Sequence, residues 1–242
     1  MTLLVAARSS LYLLFLALTV IGYSIPLAIL GWLLPSLTLG RIGQSWAGVN
    51  LWGLRWICGL DYRIDGLSRL PERNCIILAK HQSAWETIAL RAILPPEQTW
   101  VLKRELLWIP FFGWALAPYR PIAIDRSAGR AAFRQLMARG AAWLAKGRWV
   151  ILFPEGTRVA PGERRRYGLG GALLAERTGV PVVPIAHNAG VFWQRRAINK
   201  YPGTIEVVIG EPIATAGRSA QEINQQVEDW IERTVASLPQ QH

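Results

Sequence analysis

A chain of 242 residues is long enough for one ordinary domain with a real core, and 51% of its residues are hydrophobic. Its formal net charge of +11 indicates a polyanionic partner, and the 12 tryptophans together with a long apolar segment favour a lipid surface as that partner. Neither zinc-finger spacing nor an RNA-recognition signature supports nucleic acid instead, and Cys58 and Cys75 fit no disulfide framework.

The N-terminal segment between Ser9 and Gly40 contains no charged side chain. It exceeds the ~20 apolar residues that cross a bilayer. It is too long for a signal-peptide core and lacks a small-residue cleavage site, so we expect it to be retained. Pro26, Gly31 and Pro35 allow it to bend into a re-entrant hairpin. One tilted span, such a hairpin and a buried hairpin of a soluble protein are all compatible with this pattern.

The next stretch of the chain combines tryptophan with arginine, at Arg41, Trp46, Trp52, Arg55 and Trp56. This combination is typical of an interfacial helix, whose indole rings lie at headgroup depth while its guanidinium groups contact lipid phosphate. We therefore predict that residues 1–60 anchor the protein to an anionic phospholipid membrane and that residues 61–242 form the second domain.

The second domain alternates between short apolar runs and helical periodicity. The apolar runs predict strands at Cys75–Ala79, Thr99–Leu102, Pro121–Ile124, Trp149–Phe153, Val180–Ala186 and Thr204–Ile209. Helices are predicted after Ser127 as far as Gly147, from Gly168 to Gly179, and from a capping-box pattern at Ser219 to Pro239. This alternation predicts an α/β fold with a mixed, largely parallel sheet flanked by helices.

Polar or charged side chains follow five of the predicted strands, at Lys80-His81, Lys103-Arg104-Glu105, Asp125-Arg126, Pro154–Arg158 and His187-Asn188. In open α/β sheets, ligands bind outside the carboxyl ends of the strands, so we expect these side chains to share one crevice. Polar residues after strands also occur in ordinary loops, which is the simpler alternative. The convergence favours an enzyme.

The segment from His81 to Glu86 places a histidine just before a predicted helix and a carboxylate one turn inside it. A hydroxyl nucleophile requires such a pair, because the imidazole accepts its proton while the carboxylate orients the ring and stabilises the imidazolium. Ser83 and Glu86 also have capping-box spacing, so closing the helix N-terminus is the alternative role of Glu86.

The segment Phe153–Arg158, FPEGTR, follows a predicted strand directly. Its glycine allows the backbone to approach a ligand closely, while Thr157 and free amides can bind phosphate oxygens. Arg158, like Arg126, carries a planar guanidinium suited to bidentate phosphate contact. A loop with surface arginines is the alternative.

Together these motifs resemble those of the glycerolipid acyltransferase family, whose type members are the 1-acylglycerol-3-phosphate acyltransferases. The resembling segments, in the order of the family's four motifs, are His81–Glu86, Ile124–Arg126, Phe153–Arg158 and the proline-bearing strand Val180–Ala186. The match extends over roughly residues 61–211. FPEGTR about seventy residues after an H-x-x-x-x-acid motif is the specific part of the signal.

The resemblance implies direct transfer of a fatty acyl chain from acyl carrier protein or coenzyme A to the sn-2 hydroxyl of lysophosphatidic acid, giving phosphatidic acid. It implies that His81 is the general base and that the acceptor's glycerol phosphate is held by Arg126, Glu155, Gly156, Thr157 and Arg158. It further implies a protein of the cytoplasmic (inner) membrane with its catalytic domain facing the cytosol.

The residues themselves agree with a route that has no acyl-enzyme intermediate, since there is no G-x-S-x-G elbow and no cysteine near the motifs. No metal-ligand cluster is evident in the sequence. We therefore expect no metal, and no cofactor beyond acyl-ACP or acyl-CoA as co-substrate.

Two departures from the family pattern matter. Glu86 stands where the family has aspartate, and the second motif lacks the glycine usual at its start, upstream of Ile124. An acyltransferase for another lyso-lipid, such as lyso-ornithine lipid, and a catalytically idle membrane-lipid-binding protein remain alternatives. The basic run at residues 164–166 fits either an acidic carrier protein or anionic membrane, or a plain solvated charge run.

Overall fold

The computed structural model describes residues 2–240, apart from the side chains of Thr2 and Arg126. Within this range the helices are α1 (Thr2–Leu30), α2 (Ser36–Cys58), α3 (Trp85–Ile93), α4 (Phe112–Leu116), α5 (Arg130–Ala145), α6 (Gly170–Thr178), α7 (Ala189–Phe192) and α8 (Ala220–Ser237). The strands are β1 (Leu60–Asp65), β2 (Ile76–Ala79), β3 (Gln98–Lys103), β4 (Ile122–Ile124), β5 (Trp149–Leu152), β6 (Val182–His187) and β7 (Gly203–Ile209). All six predicted strands are present, and β1 is one that the sequence pattern did not reveal.

The strands described in residues 2–240 form one sheet in the order β1-β7-β6-β2-β5-β3-β4. Strands β6, β2, β5, β3 and β4 run parallel to one another, whereas β7 is antiparallel to β6 and pairs in parallel with β1. The predicted mixed, largely parallel α/β sheet is therefore confirmed. Because five neighbouring strands point the same way, their carboxyl ends meet at one edge of the sheet.

The sheet is buried on both faces, as a parallel sheet requires. Side chains alternate between the faces along β2, so Ile77 and Ala79 join one hydrophobic cluster while Ile76 and Leu78 join the other. Helices α5, α6 and α8 cover the second face. The first face is covered by α3 and α7 and by α2, which contributes Leu51 and Leu54 to the same cluster.

The N-terminal region is a helical hairpin, because the chain reverses between Gly31 and Pro35 and α1 then packs against α2. The second arm of this hairpin is the tryptophan- and arginine-containing stretch that was predicted as a separate interfacial helix. The predicted domain border at residue 60 falls at the start of β1. The hairpin nevertheless shares its core with the sheet, since Tyr12 and Leu54 are both buried in the first-face cluster.

Direct contacts hold the hairpin along the domain at several points. The backbone N–H of Lys200 donates to Ser9 Oγ at 2.8 Å, and Gln44 Nε2 donates to the Leu94 carbonyl at 2.8 Å. The α2 glycines allow close approach: a Cβ on Gly40 would lie 2.3 Å from the Pro96 carbonyl oxygen. The outward side of α1 remains apolar and exposed.

The last helix, α8, begins with the predicted capping box. Glu222 Oε2 accepts from the Ser219 backbone N–H at 2.9 Å, and Ser219 Oγ accepts from the Glu222 N–H at 3.3 Å. Ile223, Val227 and Ile231 are fully buried on its inner side. The capping pattern and the apolar periodicity together explain why this segment is a helix that packs on the sheet.

Candidate active site

The site lies where β2 and β5 end side by side. His81 follows β2 after one residue, and the loop after β5 contacts its backbone on both sides. The His81 N–H donates to Glu155 Oε2 at 2.6 Å, while the His81 carbonyl accepts from the Val159 N–H at 2.8 Å. The segment that begins at His81 and the loop after β5 are therefore joined by two hydrogen bonds that use the backbone of His81.

His81 and Glu86 form a direct pair. His81 Nδ1 lies 2.7 Å from Glu86 Oε1, and the carboxylate is fully buried. The same oxygen accepts the backbone N–H groups of Gln82 at 2.9 Å and Ser83 at 2.8 Å. Both roles considered for Glu86 are thus present at once: it binds the imidazole, and it satisfies backbone donors just before α3.

The charges around Glu86 hold it in its ionised form. Burial alone raises the pKa of this carboxyl group, but the hydrogen bond and charge of His81 and the hydrogen bond from the Ser83 N–H bring the pKa below its usual value. His187 is itself fully buried, and burial lowers its pKa. Its Nε2 lies 2.8 Å from the Lys80 carbonyl and its Nδ1 accepts the Ala189 N–H at 3.2 Å, as in a neutral imidazole.

The imidazole of His81 is also fixed from the side. The Phe153 ring stacks on it with centroids 4.0 Å apart and an interplanar angle of 9°. Trp100 lies next to Phe153, with ring centroids 6.0 Å apart. Because Glu86 occupies Nδ1 and Phe153 covers one face, Nε2 is the ring nitrogen left to meet a ligand.

A cavity of about 400 Å³ opens beside His81, a volume within the usual range of small-molecule sites. Its wall is mostly apolar, with side chains from both hairpin helices, β3 and α4, among them Val20, Leu27, Trp46, Leu102, Phe112 and Leu116. The charged side chains of Arg91, Lys103 and Arg158 also line it. The cavity therefore places the imidazole of His81 beside a long apolar wall and three cationic side chains.

The predicted site residues do not all face this cavity. His81 and Arg158 line it, and Glu86 lies directly behind His81. Gly156 adopts φ +69° and has open space where a Cβ would be, while Thr157 is half-buried in the same loop. The side chain of Arg126 lies outside what the structure describes.

Glu155, predicted to help hold the acceptor, does not face the cavity. Its side chain is fully buried and does not line the cavity. Its carboxylate accepts from the His81 N–H and forms an ion pair with Lys80 Nζ at 2.7 Å. The structure thus turns this carboxylate toward the interior of the domain, away from the cavity.

Two cavity cations were not selected from the sequence. Lys103 was noted only as a residue after a strand, and its side chain is half-exposed. Arg91, in the last turn of α3, is buried with its guanidinium 4.5 Å above the Tyr119 ring and 3.2 Å from Gln98 Oε1. Nothing in the local sequence marks Arg91, since it reaches the cavity only because α2 and α3 pack together at Gly43.

No group of three His, Cys, Asp or Glu side chains placed to hold a metal ion occurs in residues 2–240.

The sequence around the site matches that of known proteins. The Acyltransferase family model matches residues 61–188, which include His81, Glu86 and the loop after β5. The chain belongs to this acyltransferase family.

Individual relatives of this acyltransferase agree with the family match. It is 48% identical over 198 residues to a 1-acyl-sn-glycerol-3-phosphate acyltransferase of Pseudomonas aeruginosa, covering 81% of this chain and 77% of that protein. It is 28% identical over 229 residues to a protein of the same name from Cocos nucifera, covering 92% and 71% of the two chains. The crystal structure of the 1-acyl-sn-glycerophosphate (LPA) acyltransferase PlsC of Thermotoga maritima superposes with a TM-score of 0.73 at 23% identity, covering 94% and 93%, which shows the shared fold.

Proposed function

We propose that this acyltransferase transfers a fatty acyl chain from acyl-ACP or acyl-CoA to the sn-2 hydroxyl of lysophosphatidic acid, giving phosphatidic acid. The observation that carries the proposal is the His81–Glu86 pair at the wall of an apolar cavity that also holds Arg158. The 48% identity to the curated Pseudomonas enzyme supports this acceptor over other lyso-lipids.

In the proposed reaction, His81 Nε2 accepts the proton of the sn-2 hydroxyl as its oxygen attacks the thioester carbonyl. The new C–O bond forms, the C–S bond breaks, and the leaving thiolate takes the proton back from the imidazolium. Glu86 holds Nδ1 and stabilises the imidazolium while it exists. No acyl-enzyme intermediate and no cofactor beyond the thioester co-substrate take part.

The phosphate of the acceptor is assigned to the cations beside His81. Arg158 and Lys103 line the cavity, and a guanidinium binds phosphate through two parallel hydrogen bonds. The open backbone at Gly156 and the hydroxyl of Thr157 complete the proposed phosphate site, with Arg126 as a further cation implied by its motif. The apolar wall accommodates an acyl chain.

We expect Arg158→Ala to raise the KM for lysophosphatidic acid between about tenfold and a hundredfold, because a charge-assisted hydrogen bond to phosphate contributes about 1.5–3 kcal/mol. The kcat should change less than about threefold if the contact is equally strong in the ground and transition states. Steady-state kinetics with varied acceptor provides the measurement. Arg139→Ala, at an exposed arginine of α5, is the matched control.

The hairpin is proposed to attach the protein to the cytoplasmic membrane, with the sheet domain on the cytosolic side. Residues 3–33 have the length and apolar composition of a membrane-crossing helix, and only 11% of their most apolar 18-residue window is buried. Trp52 and Trp56 are also largely exposed. Because α1 is bound to the domain at Ser9, and Gly31 directly after it packs against Pro118, we favour a helix lying in the bilayer surface over one crossing it.

Attachment through α1 predicts that charged residues on its exposed side weaken binding to vesicles. The double variant Leu14→Asp, Leu18→Asp puts two carboxylates on the exposed apolar side of α1, where both leucines are more than half exposed. An interfacial helix binds through its buried apolar side and is repelled by like charge on anionic lipid, so co-flotation with anionic vesicles should fall strongly. Ala138→Asp, on the exposed side of α5, serves as the control. Equal flotation of both variants would contradict attachment through α1.

The proposed function is tested by the product formed from lysophosphatidic acid. Purified protein in vesicles is offered labelled lysophosphatidic acid with acyl-ACP or acyl-CoA, and phosphatidic acid is quantified. Lyso-ornithine lipid is offered in parallel. Acylation of lyso-ornithine lipid alone would transfer the proposal to that acceptor, and no acyl transfer with any pair would favour a lipid-binding protein without catalysis.

A further inference from the structure

A buried group of charged residues lies behind the active site and takes no part in the proposed reaction. Lys80 Nζ lies 2.7 Å from Glu155 Oε1 and 2.7 Å from Glu232 Oε1, and the Tyr167 hydroxyl donates to the same Glu232 oxygen at 2.8 Å. The Lys80 side chain is 1% exposed and that of Glu232 10%. We call these four residues the Lys80 cluster.

The Lys80 cluster places two carboxylates around one buried ammonium, and the exposed Arg164 lies 3.7 Å from the other oxygen of Glu232. Burial, with a further contribution from Glu232, raises the pKa of Glu155 to about 7 even though Lys80 acts in the opposite direction. Burial and the two carboxylates also raise the pKa of Tyr167, so it remains a phenol donor. Buried ion pairs are a poor source of stability, which suggests that this arrangement serves another purpose.

The cluster connects the C-terminal helix to the catalytic histidine. Glu232 lies on α8, outside the segment matched by the family model, and it holds Lys80. Lys80 holds Glu155, and the other oxygen of Glu155 accepts the His81 N–H. The chain of contacts therefore runs from α8 to the backbone of the proposed general base in three steps.

We propose that Glu232 is a positioning residue for acyl transfer, acting through Lys80 and Glu155 to fix the backbone of His81. The inference rests on the proposed function, because it assigns His81 the proton transfer. It also gives Glu155 a role different from holding the acceptor. A displacement of His81 by less than 1 Å is sufficient to slow a reaction that depends on the distance from Nε2 to the hydroxyl.

The kinetic test compares Glu232→Gln with Asp229→Asn, which removes an exposed carboxylate from the same helix. Glu232→Gln should fold, because Lys80 keeps Glu155 as a balanced partner and the amide oxygen still accepts from Tyr167. We expect kcat to fall about tenfold with the KM for both substrates within about twofold, while Asp229→Asn behaves as wild type. The double variant Glu232→Gln, Glu155→Gln should be no slower than Glu155→Gln alone, because both break the same chain of contacts.

A second measurement does not need turnover. Protein labelled with ¹⁵N-histidine shows the backbone amides of its three histidines, His81, His187 and His242. His81→Ala identifies the signal of His81, and His187→Gln identifies that of His187. Glu232→Gln should shift the His81 amide signal and leave that of His187 in place, whereas Asp229→Asn should shift neither. A wild-type protein without acyl transfer to lysophosphatidic acid would reject the proposed function, and the amide shift would still test the chain of contacts. An unmoved His81 amide, a wild-type kcat in Glu232→Gln, or additive losses in the double variant would each overturn the inference.

Discussion

Replacing His81 by alanine is expected to lower kcat by about 10³-fold, because general-base catalysis by a positioned side chain contributes between about 10² and 10⁴. The KM for both substrates should change little, since the imidazole acts on the hydroxyl proton and not on the phosphate or the acyl chain. The measurement is single-turnover formation of phosphatidic acid, which isolates the chemical step from product release.

The matched control is His187→Gln, at the other histidine of the same sheet edge. His187 is fully buried and does not line the cavity, and glutamine can keep the donor to the Lys80 carbonyl. We expect it to retain activity within about tenfold while losing stability, because a buried hydrogen bond is rebuilt imperfectly. Unchanged single-turnover rates in His81→Ala would contradict the proposed mechanism.

Glu86→Gln is expected to lower kcat by about 10²-fold or more. The neutral amide no longer stabilises the imidazolium, and an amide nitrogen turned toward Nδ1 would favour the tautomer whose Nε2 carries a proton and cannot accept another. Stability should also fall by about 1–3 kcal/mol at neutral pH, because the buried carboxylate accepts backbone N–H groups of Gln82 and Ser83.

This stability loss has a defined pH dependence. The pKa of Glu86 is below its ordinary 4.5 in the folded state, so its stabilisation is fully present above 4.5 and disappears as the pH falls through the lower value. Thermal unfolding of wild type and Glu86→Gln should therefore converge on acidification. Glu222→Gln, at the exposed capping box of α8, controls for the loss of a capping carboxylate and should retain full activity. Loss of stability without loss of kcat in Glu86→Gln would leave Glu86 as a helix cap only.

The strands and the His81–Glu86 pairing were predictable because their signals are local. Strand β2 is an uninterrupted apolar run buried at every position, and its exit residue His81 has its partner Glu86 only five positions away. Strand β1 was missed for the opposite reason. Its sequence LDYRID carries three charges and lies at the sheet edge, where only its pairing with β7 defines it as a strand.

The missed parts of the site depend on long-range contacts. The burial of Glu155 could not be inferred from FPEGTR, because its partner Lys80 lies 75 positions earlier and the third member, Glu232, lies on the last helix. The sequence did not decide whether the N-terminal segment forms a single span or a hairpin. Hydropathy indicates which residues avoid water but not where the chain turns. Only the packing of α2 on α3 shows that Trp46 faces the cavity while Trp52 faces outward.

The position of the hairpin determines how a lipid can be recognised. Helix α1 lines the cavity with Val20 and Leu27 and exposes Leu14 and Leu18 on its outer side. With the proposed attachment to a membrane, the thickness of one helix separates the cavity from the bilayer. A fatty tail that moves from a bilayer into the cavity leaves one hydrocarbon medium for another. It therefore gains almost none of the ~0.8 kcal/mol per methylene released on leaving water. Preference among acceptors must then come from the head group, and we expect selectivity to follow phosphate charge and not tail length.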